Sequence, residues 1–470
     1  MKQKLKIVLT MIMAILSAYI FYVIKTIDVL PLKYIILLVI GLIVLNVLGI
    51  IFLFKKGKYI KIVPIIMYLI ITILFGICLT YGNDTINFLK SSFNNADEEL
   101  TVYDVIVLKN SNYNKIEDLT NKYIGYIGMD INIESVQSSI NEKVTSNFVD
   151  NEDLYSLYDN LLAYKMDAIV IDDAYLDVLA DDYKDINDNI KIIYTIEIKD
   201  VKKTDNKVNE LKPINIYISG SDSRSNNIVN KSRSDVNMIL TINPYTKTVL
   251  MTSIPRDYYV QVHNTTGLKD KLTHAGIYGI DVSRQTLEDL FDIDIAYSIK
   301  IGMNAVTKLV DTVGGIDVYS DTKFNSYHKK GWVVEKGINH MDGEKALAYS
   351  RERYAYLTGD RHRILNQQQV LEETLKKIIN DKNILNNYNN LLVSLSNLYR
   401  TDIPKEYVTM LIQNLLDTGG SYNFVSMSVS GSDASMNTYT APNSKRYVMI
   451  PYEKDVNEAT KKIKEVLKGE

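Results

Sequence analysis

The chain has little of what holds small exported proteins together. One cysteine, Cys78, stands among 470 residues. A disulfide framework is therefore excluded, and a large apolar core must supply the stability that cross-links give elsewhere. Excess charge of one sign is also absent. Lys and Arg total 53, Asp and Glu 56, for a net charge of -3. That balance gives no basic surface for nucleic acid. A signal-peptide cleavage pattern is missing too.

Long apolar runs, by contrast, are present. Ile7–Ile24, Tyr34–Phe54 and Ile62–Tyr81 follow one another. Each is about 20 residues, enough to cross a bilayer as a helix. Lys2, Lys4 and Lys6 precede the first run, and Lys55, Lys56, Lys58 and Lys61 fill the second gap. The first gap carries only Lys25, Asp28 and Lys33. The positive-inside rule predicts a cytoplasmic N-terminus and an exterior location for everything after Gly82. The only cysteine falls in the third run, so the exterior part carries none.

Asn83–Glu99 reads as a polar linker. In residues 100–200, strand patterns such as TVYDVIVLK and MDAIVIDD alternate with helical ones. This predicts a small accessory α/β domain. IEDLTNKYIGYIG and LLAYKMDAIVIDDAYL resemble one lobe of a periplasmic solute-binding fold, without the second lobe that would close a cleft. A spacer or interaction role is expected. Residues 201–210 form a second linker. From 211 to 382, strands and helices mix with a hairpin at Asn243–Pro244, predicting an α/β/α sandwich with a mixed sheet. Helical patterning is read over His274–Phe291. Residues 383–470 complete this domain or pack on it.

Candidate site residues gather in the third part. The segments are GSDSR (Gly220–Arg224), RSD (Arg233–Asp235), SIPRD (Ser253–Asp257), KLTHAG (Lys271–Gly276) and SRER…GDRHRILNQQQ (Ser350–Gln369). Arg offers a planar fork of donors that matches phosphate oxygens. Nearby Asp side chains can share a hard divalent cation with those oxygens. A polyphosphate-and-metal site is therefore expected. Arg351 and Arg353 would share a face only on an extended stretch, so SRER is predicted to be extended. Arg363 and Gln367 share a face at the start of a helix. For any single arginine, a surface ion pair is the commoner role. Five clusters of one chemical character weigh against that.

In this order, SGSDSR, KSRSDVNMIL, TSIPRDYYV, KLTHAGIYG, VGGIDV, GEKALAYSRER and GDRHRILNQQQVL resemble the LytR-CpsA-Psr family of bacterial cell-envelope proteins. Three membrane helices and an extra domain look most like its capsule-associated branch. The resemblance implies a phosphotransferase that moves a glycopolymer from undecaprenyl pyrophosphate to peptidoglycan. The polymer it implies is a capsular or secondary wall polysaccharide, or teichoic acid. It assigns Arg233, Arg256, Arg351, Arg353, Asp360 and Arg363 to catalysis. Arg224, Lys271 and Gln367 would bind the pyrophosphate, and Asp222 and Asp235 would hold Mg²⁺, with Mn²⁺ as the alternative. Arg361 and the general base carry no assignment, although Asp257 is a candidate base. Two other classes stay open: a polyprenyl-pyrophosphate hydrolase, and a regulator that binds polyprenyl phosphate without turnover. Implied partners are the lipid-linked polymer, peptidoglycan, the cell membrane and envelope-synthesis proteins met through the accessory domain. No nucleic acid is expected.

Overall fold

The computed structural model describes residues 3–55, 62–87, 98–128, 132–183, 185–201, 208, 210–221, 231–357, 359–380 and 399–470. Helices α1 (Gln3–Ile27), α2 (Leu32–Phe54) and α3 (Ile62–Ile77) form an N-terminal bundle. All three are long and apolar enough to cross a membrane, the third span running on to Asn87. The expected linker at Asn83 thus begins inside a helix. Its polar groups find partners in the bundle, since the Tyr19 hydroxyl donates to Asn83 at 3.2 Å. In lipid, close packing and interhelical hydrogen bonds hold helices together. Asn46 donates to Ser17 across α1 and α2 at 2.8 Å. A Cβ on Gly82 would lie 2.3 Å from Val23, so only glycine lets these helices meet there.

Five strands follow: β1 (Glu98–Leu108), β2 (Tyr123–Ile127), β3 (Asn147–Asn151), β4 (Ala168–Asp172) and β5 (Ile190–Val201). Their order is β3-β2-β4-β1-β5. Strand β1 runs antiparallel to β4 and β5, while β2 is parallel to β3 and β4. Successive side chains of β1 point to opposite faces. Val105 and Val107 pack with Val136 and Ile140 of α4 (Ile133–Asn141). Ile106 and Leu108 pack with Leu157 of α5 (Leu154–Leu162) and Val178 of α6 (Asp173–Asp182).

The second sheet is built from β6 (Ile214–Ser221), β7 (Val236–Asn243), β8 (Thr248–Ile254), β9 (Tyr297–Gly302), β10 (Tyr399–Thr401) and β11 (Asn423–Ser428). The order is β10-β9-β6-β7-β8-β11. It is mixed: β9 and β11 join parallel, and β6, β7 and β8 pair antiparallel. Every residue of β7 is buried, as in a central strand covered on both faces. One face meets α8 (Met303–Thr312), α9 (Gly343–Ser350) and α10 (Asp360–Asn380) through Met238, Leu240, Val310, Ala346 and Val370. The other meets α7 (Ile280–Phe291) and α12 (Glu453–Lys468) through Tyr217, Ile239, Leu287 and Ile463. The helix expected over His274–Phe291 is split. Gly279 takes φ 113°, a left-handed value that breaks the helical ladder before α7. Helix α11 (Lys405–Thr418) precedes the edge strand β11.

Candidate functional site

The site grows from the neighbouring ends of β6, β7 and β8. Antiparallel pairing sets Asn237 opposite Ile254. Continuing that register by two residues brings Asp235 opposite Arg256. The Arg256 Nη1 donates to Asp235 Oδ1 at 2.7 Å. Asp235 is buried, and its backbone N–H donates to Gly220 O at 2.9 Å, so the ladder holds it. Serine hydroxyls from the same segments pair with one another. Ser219 and Ser234 meet at 2.8 Å, and Ser232 donates to Ser221 at 3.1 Å. The KLTHAG glycine is needed here: a Cβ on Gly276 would lie 2.4 Å from Ser232 O.

Electrostatics define the centre. Burial opposes ionisation of Asp235, but the charges of Arg233, Arg256 and Arg363, with the Arg256 bond, hold its pKa well below the usual carboxylate range. Three cations from three segments therefore converge on one carboxylate. Arg363 enters from the first turn of α10, and Gln367, one turn on, is buried. The Gln367 amide oxygen is buried with no hydrogen-bond partner among the described residues. Flipping that amide would present its N–H groups to an anion instead.

Arg256 also lies 3.6 Å from Asp257, whose other oxygen is 3.5 Å from Lys271 Nζ. Asp257 is thus a buried partner of two cations, which disfavours it as a general base. Lys271 is attached to the cluster through Asp257.

SRER is not extended. Arg351 caps α9, and the chain then turns. The cause is Glu352, which is fully buried. Its carboxylate accepts from the backbone N–H groups of Arg353, Tyr354 and Ala355 at 3.0–3.3 Å and from Tyr327 N–H at 2.9 Å. That fan of bonds closes a turn where a strand was expected. Arg351 is half-buried, whereas Arg353 is exposed and lies 4.8 Å over the Tyr354 ring. Asp222 and Arg224 lie outside the described residues, as do the side chains of Asp360 and Arg361. Among the described residues, no group of three His, Cys, Asp or Glu side chains stands ready for a metal.

Two supports escaped sequence reasoning. One is Glu352, which in SRER looks like a solvated partner of its arginines. The other is Asp270, whose carboxylate meets His274 Nδ1 at 2.7 Å and accepts from Thr440 N–H at 2.8 Å. Burial works against its charge, but His274 keeps its pKa below the ordinary value. The Asp270–His274 spacing of four residues was the available signal.

The chain is 30% identical over 238 residues to a protein of Bacillus cereus (strain AH820) named polyisoprenyl-teichoic acid--peptidoglycan teichoic acid transferase TagU, covering 50% of this chain and 76% of that one. The protein of that name from Enterococcus faecalis is 32% identical over 203 residues, covering 43% and 65%. The crystal structure of B. subtilis TagV aligns with a TM-score of 0.46 at 29% identity, covering 55% of this chain and 98% of that one. The LytR_cpsA_psr family model matches residues 181–464, which include the charged centre. With more than half its length matched, the chain belongs to the LytR_cpsA_psr family.

Proposed function

We propose that this chain transfers a glycopolymer from a polyisoprenyl pyrophosphate carrier to peptidoglycan. The observation that carries the reading is the convergence of Arg233, Arg256 and Arg363 on buried Asp235. The names of its TagU relatives point to the same reaction class. In the reaction, an acceptor hydroxyl attacks the phosphorus nearest the sugar. The bond from that phosphorus to the bridging oxygen breaks. Polyisoprenyl monophosphate leaves, and a phosphodiester joins polymer to acceptor. Charge builds on the phosphoryl and leaving oxygens, where fixed cations act most strongly. Arg256 is oriented by Asp235, while Arg233 and Arg363 flank it. Gln367 would hydrogen-bond a phosphate oxygen, and Lys271 would add charge through Asp257.

Mg²⁺ or Mn²⁺ would draw on Asp235, which the arginines keep ionised, and on Asp222, two residues past Gly220 in the sequence. Mg²⁺ commonly takes one or two carboxylates and completes its shell with phosphate oxygens and water. Three arginines around Asp235 would repel a cation arriving alone. Cation and pyrophosphate would therefore bind together, the cation stabilising charge on the phosphates.

Membrane sidedness has support from contacts near the bundle. Lys405 donates to Thr26 O at 3.2 Å, Gln413 donates to Asp28 O at 2.8 Å, and Lys33 meets Asp417 at 2.6 Å. The α1–α2 connection thus touches α11, on the side where three crossings would deliver the rest of the chain. With the lysine bias, that side is the exterior, facing the wall.

The test is transfer from lipid pyrophosphate to peptidoglycan by the purified full chain. Asp235→Ala and Arg363→Ala are expected to lower the rate by 100-fold or more, since fixed electrostatic groups are usually worth about that much. Wild-type rates in both variants would overturn the reading. Release of free phosphosaccharide without a linked product would make water the acceptor and the chain a hydrolase.

A further inference from the structure

A cavity of about 560 Å³ lies between the five-stranded unit and the catalytic unit. Tyr175 and Glu152 line it from one side, and Lys231, Leu268, Tyr278 and Tyr439 from the other. We propose that this cavity binds a short, weakly charged pyranose segment and holds it beside the phosphate site. The proposal rests on the transfer reading above and adds a saccharide subsite to it.

The lining favours a sugar. Three tyrosines line the space, and Tyr278 and Tyr439 meet edge to face at 6.5 Å between centroids. Pyranose rings present C–H faces that pack on aromatic rings and hydroxyl edges that need polar partners. The cavity offers both, with Glu152, Lys231 and tyrosine hydroxyls beside the rings. Its volume is that of an ordinary small-ligand site, and such sites favour domain interfaces. A polyisoprenyl tail is a poor occupant, because it would desolvate Glu152 and Lys231 without replacing their hydrogen bonds. A polyanion is poorly matched as well. Glu152 and Asp153 contribute two carboxylates, while the Lys231 ammonium is 3.3 Å from buried Asp172.

The walls are fixed. Arg446 lies 3.2 Å from Asp182 and 4.4 Å over the Tyr155 ring. Ile277 and Ala441 of the catalytic unit are buried in one cluster with Leu157 and Leu179 of the five-stranded unit. A preformed cavity does not pay to order its own lining on binding.

The same segments also build the charged centre. Lys231 stands two residues before Arg233, and Ser232 between them donates its N–H to Gly276 O at 3.0 Å. Thr440, in the cavity wall, is bound by Asp270, the residue before Lys271. A saccharide in the cavity would therefore lie against segments that continue into the phosphate clamp. Glu152 and Tyr175 precede residue 181, where the family match begins. The five-stranded unit would then contribute substrate contacts that the matched region alone lacks.

Either the acceptor glycan or the first sugars of the donor could supply the pyranose. The experiment uses the full chain in lipid nanodiscs and two probes. One is a peptide-free glycan fragment of alternating N-acetylglucosamine and N-acetylmuramic acid. The other is a neutral N-acetylhexosamine disaccharide. Binding is read by calorimetry and saturation-transfer NMR for wild type, Tyr439→Ala and Thr266→Trp. Thr266 is exposed at the cavity rim, so a Trp there fills space without disturbing the core. At least one probe is expected to bind the wild type, and both variants should weaken it tenfold or more. The probe that responds identifies the source. Inorganic pyrophosphate with Mg²⁺, titrated in parallel, should bind all three proteins within twofold. If neither probe binds, or if both variants bind like wild type, the subsite is overturned while pyrophosphate binding still supports the clamp. Saccharide bound at the cavity of a chain that takes no pyrophosphate would support the subsite and overturn the transfer reading.

Discussion

The two sheets bury an aspartate in opposite ways. Asp104 in the five-stranded sheet is 4% exposed, and Asp235 in the six-stranded sheet is 5% exposed. Burial pushes the Asp104 carboxyl up to about 6, eased by a 2.7 Å bond from the Thr195 hydroxyl and aggravated by Asp173. At Asp235, three arginines overcome the same burial. Depth alone therefore says little about a buried acid. The charges that the fold gathers around it decide its state. A carboxylate held ionised among cations can serve phosphate chemistry, whereas one raised toward neutrality is only a burden on folding.

The comparison breaks most severely if Arg256 is removed. Arg256→Ala should cost about 3–5 kcal/mol, as when one partner of a buried pair is lost. Thermal unfolding of the full chain reads the loss. Arg256→Lys should recover more stability than transfer rate, because the point charge remains and the planar fork is gone. An unchanged melting temperature in Arg256→Ala would mean that Asp235 does not depend on this bond.

Lys300 sharpens the comparison from the cationic side. It is buried in β9, and burial, reinforced by Arg400 and opposed by Asp172, pulls its pKa down to about 7 from 10.5. Between those values the unfolded chain binds more protons than the native one, so stability from this group rises with pH and is lost as pH falls through about 7. Lys300→Met should flatten that slope and stabilise the chain at pH 7 by about 3 kcal/mol. A slope that persists in the variant assigns it to another group.

Asp104→Asn is the smaller counterpart. Because the native pKa is raised, its contribution to stability is full below about pH 4 and is lost as pH rises through about 6. The variant should gain about 2 kcal/mol at pH 7 and nothing below pH 4, by denaturant titration at both values. Equal effects at the two pH values would refute the raised pKa.

The least effect on stability is expected at Arg353. It is exposed and stacked on Tyr354, so Arg353→Ala should leave the melting curve in place. A large drop in transfer rate at constant stability would assign it to substrate. Normal transfer would leave it a surface residue.

Much was legible in the sequence because it is encoded locally. Long apolar runs give the spans, short and nearly continuous ones give strands buried on both faces such as β7, and arginine next to a strand end in RSD or SIPRD marks the charged centre. The SRER geometry was misread because it depends on the Glu352 carboxylate, whose burial comes from packing against Tyr327 and its loop. Asp270 and His274 could be paired by spacing, but their hold on Thr440 spans 170 residues. The sequence by itself determined the three apolar spans, the α/β character and the segments in which the arginines cluster. Only the tertiary structure decided which carboxylate they surround, that Asp257 is already engaged, and that two units line a cavity open to solvent beside them. Hydrophobic periodicity is a property of neighbours along the chain, whereas charge pairing and cavity walls are made by residues that meet only after the strands have found their register.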